Sequence, residues 1–390
     1  MEAPRLKHLD TLRVFAVAAV MAEHYSGMSR KIPIGAGMLG VGLFFVLSGF
    51  LITSLLMKDY KAADGHFGPV LKAFYIKRSL RLFPAYFLVI AILAAIGIAN
   101  MRNDWPWHAA YLSNIHAALG NPETVFWSLS VEEQFYVIWP LTLALLPRRA
   151  FLPAALAMPL IALLFKIVSL KAGYWPSYTL LPFQLTALGA GCTLAIACFR
   201  NGAPFQFSWI TPAIDRAITL AGFASLLAAT MLWFVSPGGL PRLFLNDLLC
   251  IPLFVALTLK AAKGFTLPLV ATVFDNPALR YLGRISYGIY LWHNWVPKII
   301  DHYVTLPDIP KLALTLVITI VLSIASWEIM EKHCVRLGHR LAARIVRTDA
   351  PNPAGNAPQH AAASQASTPG QPDSPERKTP EVTAKETGKA

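Results

Sequence analysis

The chain has 390 residues, of which 55% are hydrophobic and only 14% charged, with a formal net charge of +13. Soluble domains carry roughly 25% charge, so this composition excludes a water-facing globule and points to a polytopic, all-α membrane protein. The surplus of Lys and Arg then marks cytoplasmic loops rather than a nucleic-acid partner.

The first predicted helix covers about 10–27. Its start is similar to a secretory signal, with Arg5 and Lys7 before an apolar run. Arg13 interrupts that run, Glu23-His24 ends it and no small-residue cleavage site follows, so it is read as the first membrane helix. Arg13 and His24 are eleven residues apart. Eleven helical steps return to almost the same face, ~16 Å further along. Asp10 lies three residues before Arg13, close enough to pair with it. Ionisable groups within a membrane helix are functional-site candidates by default, the bland alternative for His24 being an interfacial position. An imidazole, with its ordinary pKa near ~6.5, suits proton abstraction from a hydroxyl at neutral pH.

Helix 2 covers about 38–57, and a basic connection carries Lys58, Lys61, Lys72, Lys77, Arg78 and Arg81 up to a third helix running from Phe83 to Asn100. Arg78 and Arg81 share a helix face. They suit either anchoring on anionic lipid or a fork for a phosphorylated ligand. Residues 101–126 are polar and aromatic, and Trp105, Trp107 and Trp127 suit a membrane interface. Helix 4 covers about 131–147. Its opening, Ser130-Val131-Glu132-Glu133, fits a capping box and sets two carboxylates near the height of His24, where one can orient the imidazole. Further helices cover about 150–171, 178–199, 216–235, 243–261, 284–300 and 311–330, which gives about ten spans. On the ninth, Tyr287, Tyr290 and His293 form a polar stripe that either packs against neighbours or lines a site. Asn246-Asp247 on the eighth reads as a helix-end or packing pair.

Positive charge is concentrated after helices 2, 4, 6 and 8 and beyond helix 10, which sets both termini in the cytoplasm. The transmembrane domain is expected over 1–345. The Pro-, Ala-, Ser- and Gln-rich stretch 346–390 buries too little to fold and is expected to be a disordered tail, too short for a further catalytic domain. Cys192, Cys198, Cys250 and Cys334 have neither zinc-ligand nor redox spacing and read as packing residues; no metal site is expected.

Five segments combine in a specific way: LDTLR (9–13) followed by His24, LFFVLSGFLIT (43–53), KRSLRLFPAY (77–86), WSLSVEEQFYVIWP (127–140) and RISYGIYLWHN (284–294). Together they resemble the acyltransferase-3 family of integral-membrane acyltransferases, over about residues 5–340. The resemblance implies activity roles for Arg13, His24, Arg78 and Arg81, and for Glu132 with Glu133 beside it. Joined to the reading of the residues, it yields a catalytic group of His24, Glu132 and Glu133. Arg13, Arg78 and Arg81 then bind acyl-CoA, and Asp10, Tyr287, Tyr290 and His293 line the site. The co-substrate is acyl-CoA, by family prevalence acetyl-CoA, with no permanently bound cofactor. The acceptor is a hydroxyl of a cell-surface or exported carbohydrate or glycolipid (polysaccharide or lipopolysaccharide), and the location is a bacterial inner membrane. Gly42, Gln184 and His333 depart from the usual pattern. The competing reading is a transporter or flippase with a His/Glu proton relay, against which stands the lack of repeat symmetry.

Overall fold

A computed structural model describes residues 7–26, 35–122, 124–235 and 239–348. Among them all regular structure is helical, apart from an isolated bridge between Arg200 and Ala203. The order is α1 Lys7–Ser26, α2 Ala36–Ala62, α3 Phe67–Ile96, α4 Met101–Ala109, α5 Ser113–Ala118, α6 Phe126–Leu145, α7 Phe151–Lys171, α8 Leu181–Ala197, α9 Pro212–Val235 and α10 Gly239–Lys263. Then follow α11 Pro268–Asp275, α12 Pro277–Arg284, α13 Ser286–Trp292, α14 Trp295–Tyr303, α15 Asp308–Ser326 and α16 Lys332–Thr348, the last two joined through a π-helical turn, Trp327–Glu331. The protein is a multi-pass, all-α membrane protein.

Six of the described stretches are long and apolar enough to cross a membrane: α2, α3, α7, α9, α10 and the run through α15 and α16. The other four expected spans correspond to α1, α6, α8 and the group α12 to α14. These are shorter, carry ionisable residues or are broken. The ninth expected helix, 284–300, is in fact the end of α12 followed by two short helices, α13 and α14, with interruptions at Ile285 and at His293-Asn294. The expected tail falls, from residue 349 onward, outside the described residues.

Two boundaries differ from expectation in a way that matters. The basic segment before Phe83 is not a connection. It is the first half of α3, which runs unbroken past Pro84 and stops at Gly97, whose left-handed backbone (φ 81°) lets its N–H reach Leu93 O. Proline removes one donor, but the neighbouring helices hold the segment straight enough to continue. Likewise α6 begins at Phe126, so Ser130 caps nothing. Its hydroxyl donates to Phe126 O at 3.0 Å and accepts from Ser113 N at 3.2 Å.

Helix α2 is the axis of the bundle. Of its most apolar stretch 72% is buried, against 39% or less for the other five. It packs on α1, α8, α10, α6 and α3. The crossing with α8 is close because both helices offer glycine there. A Cβ on Gly49 would strike Leu188 O, and one on Gly191 would strike Val46 O. Small residues allow such backbone approach between membrane helices. The peripheral helices α7, α9 and α15 expose Leu160, Leu164, Leu220, Phe223, Val317 and Val321, an apolar rim suited to lipid. Cys192, Cys198 and Cys250 are buried free thiols, in keeping with packing roles.

Candidate active site

Between α1, α2, α3, α6 and α13 lies a cavity of about 650 Å³, open solvent at its mouth included. Arg13, Arg78 and Arg81 all line it, with one carboxylate, Glu132. Arg78 and Arg81, expected to share a face of α3, therefore meet Arg13 of α1 across a single space, whereas His24, expected on the same face of α1 as Arg13, does not line it. Arg13 is held by Asp10 at 2.9 Å, the predicted pair. Arg78 lies over the Tyr136 ring, 3.9 Å from its centroid, and its Nε is buried without a hydrogen-bond partner. Tyr136 in turn donates to Ser48 Oγ at 3.1 Å, and Ser48 donates to Glu132 Oε1 at 2.6 Å. This chain fixes Glu132 beside the guanidinium groups. Asp10 is paired with Arg13 and Glu331 acts on Arg81, so the guanidinium donor left over for an anionic ligand is the unpartnered Nε of Arg78.

A second cavity, about 1110 Å³ with open solvent included, is lined by Glu23, His24, Trp127, Asn294 and Lys298 among others. Val41 and Tyr290 line both cavities, so the two adjoin at that wall rather than forming one continuous tube. Tyr290 is held there by Ser128 Oγ and by donation to Val125 O at 3.3 Å. His24 Nδ1 is 2.8 Å from Val20 O. A carbonyl only accepts, so Nδ1 carries the hydrogen and Nε2 keeps its lone pair. The His293 ring is edge-on to it, with centroids 5.1 Å apart. His293 is fully buried, with Nδ1 2.7 Å from Tyr290 O, and its Nε2 has no partner.

This arrangement corrects the expected pairing of His24 with a glutamate of α6. Glu132 faces the other cavity, and Glu133 lines neither, one of its oxygens being buried without a partner. With α6 starting at Phe126, both glutamates lie a turn further into the helix than a capping position. The carboxylate that does line the His24 cavity is Glu23, which accepts from Gly37 N. Tyr287 lines the arginine cavity and donates to Leu82 O at 3.0 Å. Asp10 reaches the cavity only through Arg13.

Sequence reasoning left several residues out. Ser48 and Tyr136 lie inside quoted motifs but carry no charge to mark them. Glu331 is 3% exposed, turned inward by the π-helical turn, bonded to Ser326 at 2.6 Å and electrostatically coupled to Arg81. A π bulge cannot be read from residue periodicity, although such bulges often attend functional sites. Lys166 on α7 is 2.5 Å from Asp247 on α10, a buried ion pair that hydropathy gives no reason to expect.

The fold and the site define a multi-pass helical membrane protein with an arginine-lined cavity abutting a histidine-lined one. Residues 6–328 match the family model described as an acyltransferase domain, and the chain belongs to this family, acyltransferase 3. Among curated relatives, it is 27% identical over 354 residues to "Peptidoglycan O-acetyltransferase OatA" of Listeria monocytogenes, covering 83% of this chain and 54% of that protein. It is 26% identical over 366 residues to "Putative peptidoglycan O-acetyltransferase YrhL" of Bacillus subtilis, covering 87% and 56%. The chain thus spans about half the length of these relatives. No solved structure matches it.

Proposed function

We propose that the protein is a membrane O-acyltransferase that moves an acetyl group from acetyl-CoA to a hydroxyl of a cell-wall or cell-surface carbohydrate. The observation that carries this reading is the adjoining pair of cavities, one with three arginines and one with His24, meeting at Val41 and Tyr290. Membership in the family supports group transfer over transport, and the names of the two relatives support a glycan acceptor.

In this reading Arg13, Arg78 and Arg81 take the phosphates of the donor from the cytoplasmic side. The pantetheine arm runs toward the shared wall, and the thioester stands beside Tyr290. His24 Nε2 takes the proton of the acceptor hydroxyl, whose oxygen attacks the thioester carbonyl. The C–S bond breaks, the acetyl ester forms and the thiolate leaves with a proton as CoA. His24 is held by its own helix through Val20 O, not by a distant carboxylate. Glu132 positions the arginine cluster through Ser48 and Tyr136. Glu133 and His293 are supporting groups, His293 by packing against the His24 ring. The termini are cytoplasmic and the His24 cavity opens outward, a topology that rests on the distribution of positive charge.

The test uses purified protein in lipid nanodiscs with acetyl-CoA and a glycan acceptor. CoA release coupled to ester formation on the glycan is the expected result. A wild-type protein that leaves acetyl-CoA intact would falsify the reading.

A further inference from the structure

Next to the His24 cavity lies a smaller recess of about 330 Å³, bounded by Met38, Leu243, Asn246, Asp247 and Phe254 among others. Met38 and Leu243 line both spaces, so the recess adjoins the His24 cavity. Two neighbouring polar side chains of α10 face it in an otherwise apolar wall.

The two are in different states. Asp247, 7% exposed, is fixed from behind by Lys166 Nζ at 2.5 Å. Lys166 is itself tied to Thr186 Oγ1 at 2.5 Å and lies over the Phe183 ring, 4.3 Å from the centroid. The carboxylate is therefore a preset acceptor whose charge is balanced away from the recess. Asn246 is 9% exposed, and its Oδ1 is buried with no hydrogen-bond partner. An orphaned buried acceptor is costly unless a ligand pairs with it. The plain structural explanation, a buried ion pair fastening α7, α8 and α10, accounts for Lys166, Asp247 and Thr186. It leaves the Asn246 oxygen without a reason.

We propose that this recess is an acceptor subsite: Asn246 and Asp247 receive hydroxyl or acetamido N–H groups of a carbohydrate ring whose reacting hydroxyl stands at His24. This rests on the transferase reading above and adds the side chains that hold the acceptor ring. Both groups offer acceptor oxygens, no Lys or Arg is among the described residues lining the recess, and Lys166 is spent on Asp247. A phosphate is thus disfavoured and a donor-rich, uncharged ring substituent is favoured. Phe254 and Leu243 present apolar surface to the C–H edges of such a ring. A site that expects a hydroxyl rejects ligands lacking one, because its own buried acceptor is then left unpaired.

The experiment uses the full chain in nanodiscs and chitotetraose as the probe, with binding read by thermophoresis in the absence of donor. Wild-type protein is expected to bind chitotetraose. Asn246→Leu, close in size, is expected to weaken that binding at least ~10-fold, the loss of one to two hydrogen bonds, with the affinity for acetyl-CoA within about twofold. Cys250→Met pushes bulk into the same recess without touching a polar group. It is expected to give the same loss, so the test survives if one variant does not fold, as judged by gel filtration. Wild-type protein that does not bind chitotetraose, or folded variants that both bind it within twofold of wild type, overturn the subsite. Wild-type protein that binds chitotetraose but never consumes acetyl-CoA overturns the transferase reading instead, leaving a glycan-binding site in place.

Discussion

His24 and the arginines make separable demands on the chemistry. His24→Ala removes the base while leaving the packing of α1, whose buried residues are Leu9, Leu12, Ala16, Val17 and Val20. Transfer is expected to fall ~10²–10⁴-fold with the folded yield preserved, the usual worth of general base catalysis. Acetyl-glycan formation by the purified variant checks it, and near-normal turnover excludes His24 as the base. Arg78→Ala with Arg81→Ala removes charge-assisted contacts worth about 1.5–3 kcal/mol each, so KM for acetyl-CoA is expected to rise ~10²–10⁴-fold. Unchanged donor KM in a steady-state assay returns these residues to lipid anchoring.

Helix-level predictions come from what fastens the elements to each other. Gly191→Leu forces a side chain into the backbone of α2 at Val46 and is expected to cost about 1–3 kcal/mol or to prevent assembly. A lower melting temperature in detergent gel filtration checks it. Lys166→Met strands the Asp247 carboxylate among apolar helices, a loss of about 3–5 kcal/mol, whereas Lys166→Met with Asp247→Leu is expected to recover most of it. The ordering of the three melting temperatures is the readout. The short helices α4 and α5 hold another such contact. His108 is buried under Tyr86 and Phe126, with Nδ1 2.8 Å from Ser113 Oγ. Burial, reinforced by His116, pushes its pKa down to about 4. The unfolded chain, with a pKa near ~6.5, binds a proton that the folded chain does not. Stability from His108 is therefore whole above about pH 6.5 and lost as the pH falls toward 4. His108→Gln is expected to flatten that part of the melting-temperature profile.

At the scale of the whole molecule, the two cavities are expected to communicate with opposite sides of the membrane. Lys298 lines the His24 cavity, and Cys334 lies on α16, which packs on the basic first half of α3. In a Cys334→Ser background, Lys298→Cys should react with an impermeant maleimide added to intact spheroplasts. Cys334 itself should react only after the membrane is opened. The reverse pattern inverts the topology drawn from the positive charges.

The amino-acid order alone determined the class and picked out several of the residues that line the two cavities. Apolar runs mark membrane helices because the bilayer leaves the backbone no other partner, and ionisable residues inside such runs mark a site because they are costly there. In this way Arg13, His24, Arg78 and Arg81 could be picked out, and helical spacing sufficed to pair Asp10 with Arg13. Partners from distant helices were beyond its reach. Spacing along one helix says nothing of which face of α6 meets α1, so Glu132 was set beside His24 when it stands with Ser48 and the arginines. Only the packing of α7 on α8 and α10 joins Lys166 to Asp247, and only a π turn brings Glu331 inward. These contacts depend on rotations and close approaches between helices, which side-chain shape at the interfaces decides and a one-dimensional pattern does not carry.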